Sequence, residues 1–401
     1  MLKYQLVKLY RYTLKFIVGM VPKNKKLLLF SSWFGKKYSD NTMYLFEYML
    51  KKSDYEVYWF TKDKVLYEEL KSQSIPVLYS KSIRGWWMQA RAIMLLSTVQ
   101  TSDFNQLLLN KCIFLDLDHG FPGKPVGLGQ PTVNQEWKEW YYFCREGIDF
   151  YQTASSKFVV DFASPNYDID SDHFIFSNKP RIDVLFSADL QKGKTDAIND
   201  IKKGRRAIVY LPTHRACGAI EMQMSKILDL ESINSICKNT DCVFIIKKHF
   251  YHKHEKENLD RYANIIDITD SDIDTQILLS QTDILVTDFS SCYNDFLALN
   301  RPIVFYAYDY EEYLSKDRDY YWKYDKITAG YTVKDKCTFN NVINILTNDW
   351  TDAIHEDGRK AMREIYFDPN VEMGSSREKL KIVITELING TYKPFNWDLN
   401  Q

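Results

Sequence analysis

The chain has 401 residues, 45% of them apolar, so it can bury a sizeable core and is long enough for two domains of about 150 to 200 residues. Its 52 basic residues nearly balance its 53 acidic ones, which excludes a general nucleic-acid-binding protein, because such proteins carry a marked basic excess. Seven cysteines follow no disulfide spacing, and this pattern favours a reducing compartment, the cytosol.

The first 26 residues form a basic segment that contains no acidic residue. At about 100° per residue, its apolar side chains gather on one side of a helix and its basic ones on the other. The apolar set is Leu2, Leu6, Leu9, Tyr10, Leu14, Ile17 and Val21, and the basic set is Lys8, Arg11 and Lys15. No uncharged run approaches the roughly 20 residues that a spanning helix needs. We therefore expect residues 1–26 to lie on an anionic membrane surface; the alternative is a helix packed on its own domain.

Residues 81–96 form a second candidate for a membrane-surface helix. Trp86 and Trp87 lie beside Arg84 and Arg91, a pattern that is typical of a lipid headgroup boundary. An amphipathic helix that packs on its own domain is again the alternative.

Short apolar runs alternate with helical segments twice along the chain, which predicts an α/β protein with two doubly wound, Rossmann-type domains. The expected strands are 27–30, 55–60, 113–117 and 150–153 in the first domain, and 207–211, 242–247, 265–268, 284–287 and 303–306 in the second. We place the domains at 27–186 and 207–345, with a polar linker at 187–206. Residues 346–401 are expected to be helical and to pack back on the first domain, and a cleft is expected between the domains.

Residues 282–313 have the pattern of a phosphate-binding unit in the second domain. An apolar strand at 284–287 precedes a turn at 288–291, a helical segment at 293–299 and a second strand at 303–306. Ser290 or Ser291 would cap the helix, and the free N–H groups of its first turn would face an anion. Ligands bind at this edge of open α/β sheets.

Three further loops follow predicted strands and carry polar groups. His119 follows the 113–117 strand and can serve as a general base, or it can simply cap a turn. Asp116 and Asp118 also match D-x-D, a pattern that binds a metal and a nucleotide in another class of transferases. So short a pattern often occurs by chance. In the second domain, Arg215 follows the 207–211 strand, and its planar guanidinium suits phosphate oxygens.

The third loop contains Lys247, Lys248 and His249, after the strand that begins at Cys242. His249, His252, His254 and Cys242 raise the possibility of a zinc site, but they lack a second pair of ligands. A solvated loop with one functional histidine fits this spacing better.

The order of these motifs resembles the CDP-glycerol glycerophosphotransferase family, which builds teichoic acids and related capsule polymers. The resemblance covers residues 27–331. The matching segments are 35–41 (family G-K-x-Y-S-D-N), 118–124 (W-H-G-T-P-L-K), 178–183 (G-Y-P-R-N-D), 212–215 (P-T-W-R), 247–250 (K-x-H-P), 288–296 (D-Y-S-S-x-x-x-D-F) and 301–309 (K-P-x-x-F-Y-x-Y-D). The chain departs from the family pattern mainly in the first domain, at Asp118, Phe121, Asn178 and Ile182.

The resemblance implies a GT-B fold, with the acceptor on the first domain and a CDP-alditol on the second. The implied reaction transfers glycerol phosphate, or ribitol phosphate, to a hydroxyl of a lipid-linked acceptor and releases CMP. The implied catalytic residues are His119 and His249. The implied donor and phosphate contacts are Arg215, Thr213, Ser290, Ser291, Asp288 and Lys247. The implied acceptor-side and supporting residues are Lys124, Arg181, Asp183 and Asp118.

This residue set neutralises phosphate without requiring a metal, although it leaves room for Mg²⁺. The expected location is the cytoplasmic face of a bacterial cell membrane, as a peripheral protein. The alternative function is a GT-B glycosyltransferase that uses a nucleotide-sugar for a surface polysaccharide, because the fold and the phosphate site would look the same.

Overall fold

A computed structural model describes residues 2–120, 125–215, 218–249, 252, 257–316, 323–369 and 372–397. The chain divides into two compact units. The first consists of Met1–His119, Val126–Asp183 and Asn370–Gln401, and the second of Gly120–Pro125 and Val184–Pro369.

Each unit contains one parallel sheet. The described strands of the first are β1 (Asn24–Phe30), β2 (Glu56–Thr61), β3 (Val77–Tyr79), β4 (Ala92–Ser97), β5 (Ile113–Asp116), β6 (Asp149–Ala154) and β7 (Phe174–Phe176). Those of the second are β8 (Arg206–Leu211), β9 (Cys242–Ile246), β10 (Ile265–Asp267), β11 (Ile284–Thr287), β12 (Ile303–Tyr306) and β13 (Tyr331–Val333). The strand orders are β3-β2-β1-β4-β5-β6-β7 and β10-β9-β8-β11-β12-β13. Both orders reverse beside the first strand of the unit, as in Rossmann-type sheets.

One described α-helix precedes β1, and the others fall between the strands or after the last one. They are α1 (Leu2–Gly19), α2 (Asp40–Lys52), α3 (Lys64–Ser72), α4 (Ile83–Arg91), α5 (Gln135–Arg145), α6 (Lys157–Tyr167), α7 (Asp183–Phe186), α8 (Ala188–Gln191), α9 (Asp196–Lys202), α10 (Met224–Ile227), α11 (Leu230–Asn239), α12 (Thr275–Ser280), α13 (Cys292–Leu297), α14 (Tyr310–Lys316), α15 (Tyr324–Ile327), α16 (Lys336–Asp349), α17 (Glu356–Tyr366) and α18 (Ser376–Asn389).

The central strands are buried on both faces, which explains why they read as continuous apolar runs. Every residue of β9, β11 and β12 is buried, as are Leu27 to Phe30 of β1. The predicted α/β class with two Rossmann-type domains is confirmed.

The expected helix at 81–96 is wrong in its second half. Helix α4 ends at Arg91, and the next six residues form β4, which pairs with β1 on one side and β5 on the other. Its apolar residues fill the sheet, since Met94, Leu95 and Leu96 are fully buried. The unbroken apolar pattern concealed the change from helix to strand.

The region at 187–206 contains the short helices α8 and α9 and belongs to the second unit, which begins at Val184. Of the C-terminal helices, α17 belongs to the second unit and α18 to the first. The carboxylate of Asp183 accepts hydrogen bonds from the backbone N–H groups of Ser376 and Arg377, so it caps the start of α18.

Candidate active site

His119 follows β5 in the first unit and is held in one orientation. Its Nδ1 lies 2.9 Å from the carbonyl oxygen of Thr98 and 3.2 Å from a carboxylate oxygen of Asp118. Both neighbours only accept hydrogen bonds, so Nδ1 carries the proton and Nε2 keeps its lone pair. The side chain is 43% exposed, which leaves the ring accessible to a substrate. His119 thus has the tautomer and the accessibility of a general base.

Asp118 adopts a left-handed backbone conformation, with φ of 56°. In this position its carboxylate accepts the backbone N–H of His119 at 2.6 Å, and the Nζ of Lys179 lies 3.8 Å from its other oxygen. Strained backbone of this kind is concentrated at functional sites. The implied supporting role of Asp118 stays a prediction, and its contacts with His119 support it.

Asp116 lies beneath this turn and accepts hydrogen bonds from protein groups. Its Oδ1 accepts hydrogen bonds from the Ser97 hydroxyl at 2.9 Å and from the Asp118 backbone N–H at 3.3 Å. Burial, and secondarily the charge of Asp118, raises the pKa of Asp116 to about 7. These bonds give the buried carboxylate a structural role in the turn that carries His119.

A strained loop packs against the His119 ring. Its three consecutive residues with positive φ are Trp33 (48°), Phe34 (62°) and Gly35 (73°). The Trp33 ring centroid lies 5.0 Å from that of His119. The buried carboxylate of Asp103 accepts the backbone N–H groups of Phe34 at 2.6 Å and Thr98 at 2.8 Å. Asp103 therefore joins this loop to the segment whose carbonyl fixes the His119 tautomer.

Arg181 braces the same turn from below. Its guanidinium donates to the carbonyl oxygen of His119 and, at 2.9 Å, to the carboxylate of Asp40. Asn41 accepts the Arg181 backbone N–H and donates to the carbonyl oxygen of Asp118 at 2.6 Å. Arg181 is 7% exposed, so it is placed to support the turn. The predicted phosphate contact of Lys124 lies outside the described residues.

In the second unit, Arg215 is buried between two carboxylates. Its Nε and one terminal nitrogen bond Asp309 at 2.6 and 2.9 Å, and that same nitrogen bonds Asp288 at 2.8 Å. The rings of Phe289 and Tyr313 lie within 5.2 and 4.9 Å of the guanidinium carbon. Burial alone would lower the pKa of Arg215, but Asp288 and Asp309 raise it above its ordinary value. Arg215 therefore joins the loops that follow β8, β11 and β12.

Hydroxyl groups lie on the neighbouring loops. Asp288 accepts the backbone N–H of Thr213 at 2.8 Å, and the Thr213 hydroxyl oxygen is buried with no hydrogen-bond partner among the described residues. Ser290 is partly exposed and its hydroxyl accepts the backbone N–H of Cys292 at 3.3 Å, while Ser291 is exposed and precedes α13 directly. Because α13 has only six residues, the hydroxyl groups of Ser290 and Ser291 and the N–H groups of its first turn matter more here than the helix dipole does.

Two histidine rings meet at the ends of β8 and β9. The ring centroids of His214 and His249 are 4.9 Å apart, and the ring planes are inclined by 60°. Lys247 donates to the carbonyl oxygen of Ser271 at 3.0 Å, which directs its ammonium toward the loop after β10. Thr213, His249, Ser290 and Ser291 thus all belong to loops at the carboxyl edge of the second sheet.

The suggested zinc set does not come together among the described residues. Cys242 is the first residue of β9, whereas His249 follows the end of the same strand. His252 is buried, and His254 lies outside the described residues. Within the described ranges, the one group of three close ligand-type side chains is Asp170, Asp172 and His173, on the surface of the first unit.

A cavity of about 320 Å³ opens beside Arg215. Its walls are partly apolar, and its polar groups include the Asp309 carboxylate. The wall residues that come from the segment after Arg215 are Ile220, Glu221, Met222, Gln223, Lys226 and Ile227, and those that follow β12 are Tyr308, Asp309, Glu312 and Tyr313. The cavity is therefore continuous with the loop network that Arg215 holds together.

Comparison with known proteins decides the family. The model of the CDP-glycerol:poly(glycerophosphate) glycerophosphotransferase family matches residues 13–385. The chain belongs to this family.

Among its relatives, the teichoic acid glycerol-phosphate transferase of Staphylococcus aureus is 28% identical over 342 residues, covering 81% of this chain and 85% of that protein. The teichoic acid poly(glycerol phosphate) polymerase of Bacillus spizizenii is 29% identical over 366 residues, covering 83% and 87%. The solved structure of the wall teichoic acid polymerase TagF superposes with a TM-score of 0.77 at 20% identity, over 96% of each chain. The structural likeness confirms the GT-B-like fold, and the family membership makes this protein a glycerophosphotransferase.

Several groups around the candidate site residues were not predicted from the sequence. They are Trp33, Thr98 and Asp103 beside His119, and His214 and Asp309 beside His249 and Arg215. Asp309 was part of a family motif, and His214 adjoined Arg215, so both had a signal. Thr98 contacts His119 through its backbone carbonyl, and a pattern of side chains cannot predict such a contact.

Proposed function

We propose that this protein transfers glycerol phosphate from CDP-glycerol to a hydroxyl of a lipid-linked acceptor and releases CMP. The observation that carries the proposal is His119, whose Nδ1 hydrogen bond leaves Nε2 as a base, in a chain that belongs to the glycerophosphotransferase family. Glycerol is preferred to ribitol because the two relatives described above act on glycerol phosphate.

In the proposed step, Nε2 of His119 takes the proton of the acceptor hydroxyl as its oxygen attacks the β-phosphorus. A new oxygen–phosphorus bond forms, and the bond from the β-phosphorus to the bridging oxygen breaks. The electron pair of that bond leaves with CMP. Asp118 and Thr98 keep the imidazole in the required tautomer.

The donor phosphates are assigned to the loops of the second unit. The Thr213 hydroxyl is a suitable donor, since it is buried and has no partner among the described groups. Ser290, Ser291 and His249 supply further hydrogen bonds to phosphoryl oxygens as charge spreads over them. Arg215 and Asp288 hold these loops in place, and the positive charge of Arg215 is largely balanced by its two carboxylate partners.

The cavity beside Arg215 is assigned to the cytidine of the donor. Its volume of about 320 Å³ falls at the lower end of the range for small-molecule sites, and its aromatic wall suits a pyrimidine ring. The Asp309 carboxylate lies at the junction of the cavity and the phosphate loops, where it can accept a ribose hydroxyl.

The exposed apolar face of α1 supports a peripheral location on a membrane. Large apolar side chains that are exposed along one stripe of this helix are Leu6, Leu9, Tyr10, Phe16 and Ile17, and Met20, which follows the helix, is exposed as well. Such a stripe favours burial in a headgroup layer. No described helix is both long and apolar enough to cross a bilayer. The proposed side of the membrane is the cytoplasmic face, where a nucleotide donor is available.

The reaction is tested by incubating the protein with a synthetic lipid-linked acceptor and, in separate reactions, CDP-glycerol, CDP-ribitol and UDP-sugars. We expect acceptor-dependent release of CMP from CDP-glycerol and a product heavier by one glycerol phosphate in mass spectrometry. Release of UDP from a sugar donor, with both CDP-alditols inert, would contradict the proposal and favour a glycosyltransferase.

A further inference from the structure

A second, strongly cationic groove lies in the first unit, away from His119. Its volume is about 720 Å³, and its charged lining consists of Lys25, Lys26, Lys51, Lys52, Lys381 and Asp54. Lys25 and Lys26 are near the start of β1, Lys51 and Lys52 end α2, and Lys381 is in α18. Strands β1 and β5 run parallel in one sheet. The groove lies beside the start of β1, and His119 follows the end of β5, so the two lie at opposite ends of the strands.

The positive charge of the groove is not neutralised by the protein. Within the described part of the chain, none of the five lysines forms an ion pair with an acidic side chain. The chain as a whole has a net charge of −1, so five lysines against one aspartate are a local concentration of charge. Like charges this close repel one another unless a bound anion compensates them.

Neutral hydrogen-bonding groups alternate with the lysines along the walls. They are Ser53, Tyr55, Thr385 and Asn389, and the Tyr55 hydroxyl donates to the Thr385 hydroxyl at 3.4 Å. Hydroxyl and amide groups can bind the hydroxyls of a polyol, while ammonium groups bind phosphate. A ligand that repeats both features, phosphate and polyol, matches this lining better than a simple anion does.

We propose that the groove binds a segment of poly(alditol phosphate), the polymer that the proposed reaction would extend. The identity of this ligand rests on the proposed function. Binding at the edge of the sheet opposite His119 would keep a long chain attached between transfers and raise the effective concentration of its free end. A chain too short to reach both sites gains nothing from the groove.

The test is the binding of a fluorescent oligo(glycerol phosphate), measured by anisotropy without any nucleotide donor. The triple variant Lys51→Gln, Lys52→Gln, Lys381→Gln removes three groove charges and is compared with Lys71→Gln, Lys238→Gln, Lys336→Gln. The control changes the net charge equally at lysines outside the groove. We expect the affinity for the oligomer to fall roughly fivefold for each groove lysine that is replaced, and less than twofold in the control variant. Added salt should weaken the binding further.

Parallel measurements with phosphatidylglycerol vesicles and with inorganic phosphate separate the possible ligands. Unchanged oligomer affinity in the groove variant overturns the proposal, and so does a loss that affects vesicles alone. A loss of oligomer binding with unchanged vesicle binding supports it. The binding measurement contains no donor, so it does not depend on the reaction. A protein that binds the oligomer through these lysines but releases no CMP from CDP-glycerol in the separate transfer assay supports the groove and contradicts the proposed reaction.

Discussion

At the scale of single residues, the site is built from buried charges that hold loops. Arg215 illustrates this: a sequence motif marks it as a phosphate ligand, but its guanidinium is 2.8 Å from Asp288 and 2.6 Å from Asp309. Removing one partner of a buried ion pair leaves an uncompensated charge, which costs far more than the pair itself contributes.

Arg215→Ala is therefore expected to destabilise the second unit by about 3–5 kcal/mol, because two carboxylates would remain buried without a counter-charge. Chemical denaturation with a probe in the second unit measures this loss. Arg301→Ala is a suitable comparison, since among the described residues Arg301 donates to backbone carbonyls and not to a carboxylate. A loss below about 1 kcal/mol together with abolished CDP-glycerol binding would instead make Arg215 a direct phosphate ligand.

Asp116 gives a prediction about pH. Its folded-state pKa of about 7 is above the unfolded value near 4, so between these values the native state binds more protons than the unfolded state. The stability of the first unit should therefore fall as pH rises from about 4 to 7, and Asp116→Asn should remove up to about 4 kcal/mol of that fall. Denaturation at several pH values checks this. Asp170→Asn, at an exposed carboxylate, should leave the slope as in the unmodified protein.

The sequence revealed the side chains that follow strands, but not how they pair. His119, His249 and the serine pair all lie at strand ends, where polar residues after an apolar run can be recognised. The brace of Arg181 against Asp40 spans 141 positions, and the contact of Arg215 with Asp309 spans 94. Such pairs depend on which strands become neighbours, and that information lies in the tertiary fold.

At the scale of elements, helix α1 bears on the two alternatives for the N-terminal segment, a membrane-surface helix and a helix packed on its own domain. Its basic face packs on the first unit: Arg11 lies 4.4 Å from the Trp140 ring, and the buried Lys15 ammonium donates to the carbonyl of Phe143. The apolar stripe is exposed instead, with Leu9 64% and Phe16 69% accessible. The helix therefore packs on its own domain and still presents an apolar face that a membrane can bury.

Leu9→Ser with Phe16→Ser is expected to weaken flotation with phosphatidylglycerol vesicles by roughly tenfold or more, since two large side chains would no longer insert. The matched control is Val65→Ser with Ile382→Ser, which removes two exposed apolar side chains elsewhere in the first unit. Equal flotation of both variants would show that the α1 stripe is not a membrane contact.

How well each strand could be predicted depends on its length and on the residues that flank it. Long apolar runs such as β11 and β12 were predicted at their observed bounds. The three-residue strands β3, β7 and β13 were missed, whereas β10, which is equally short, was predicted at 265–268. Three residues show no period, so the prediction of such a strand depends on its neighbours. Strand β4 was missed because the apolar face of α4 continues into it without a turn residue.

At the scale of the whole molecule, the proposed chemistry is divided between the two units. The first holds the proposed base, His119, and the groups that brace it, and the second holds the hydroxyl, histidine and cavity features assigned to the donor. If the division is right, damage to the base should abolish transfer without disturbing the binding of CDP-glycerol.

The most direct measurement is therefore the rate of CMP release and the dissociation constant of CDP-glycerol for His119→Gln, side by side with the unmodified protein. We predict a rate lower by about 10² to 10⁴-fold, as expected for loss of a general base, and a dissociation constant within twofold. An unchanged rate would remove His119 from the reaction, and a comparable loss of donor binding would contradict the assignment of the base and the donor to different units.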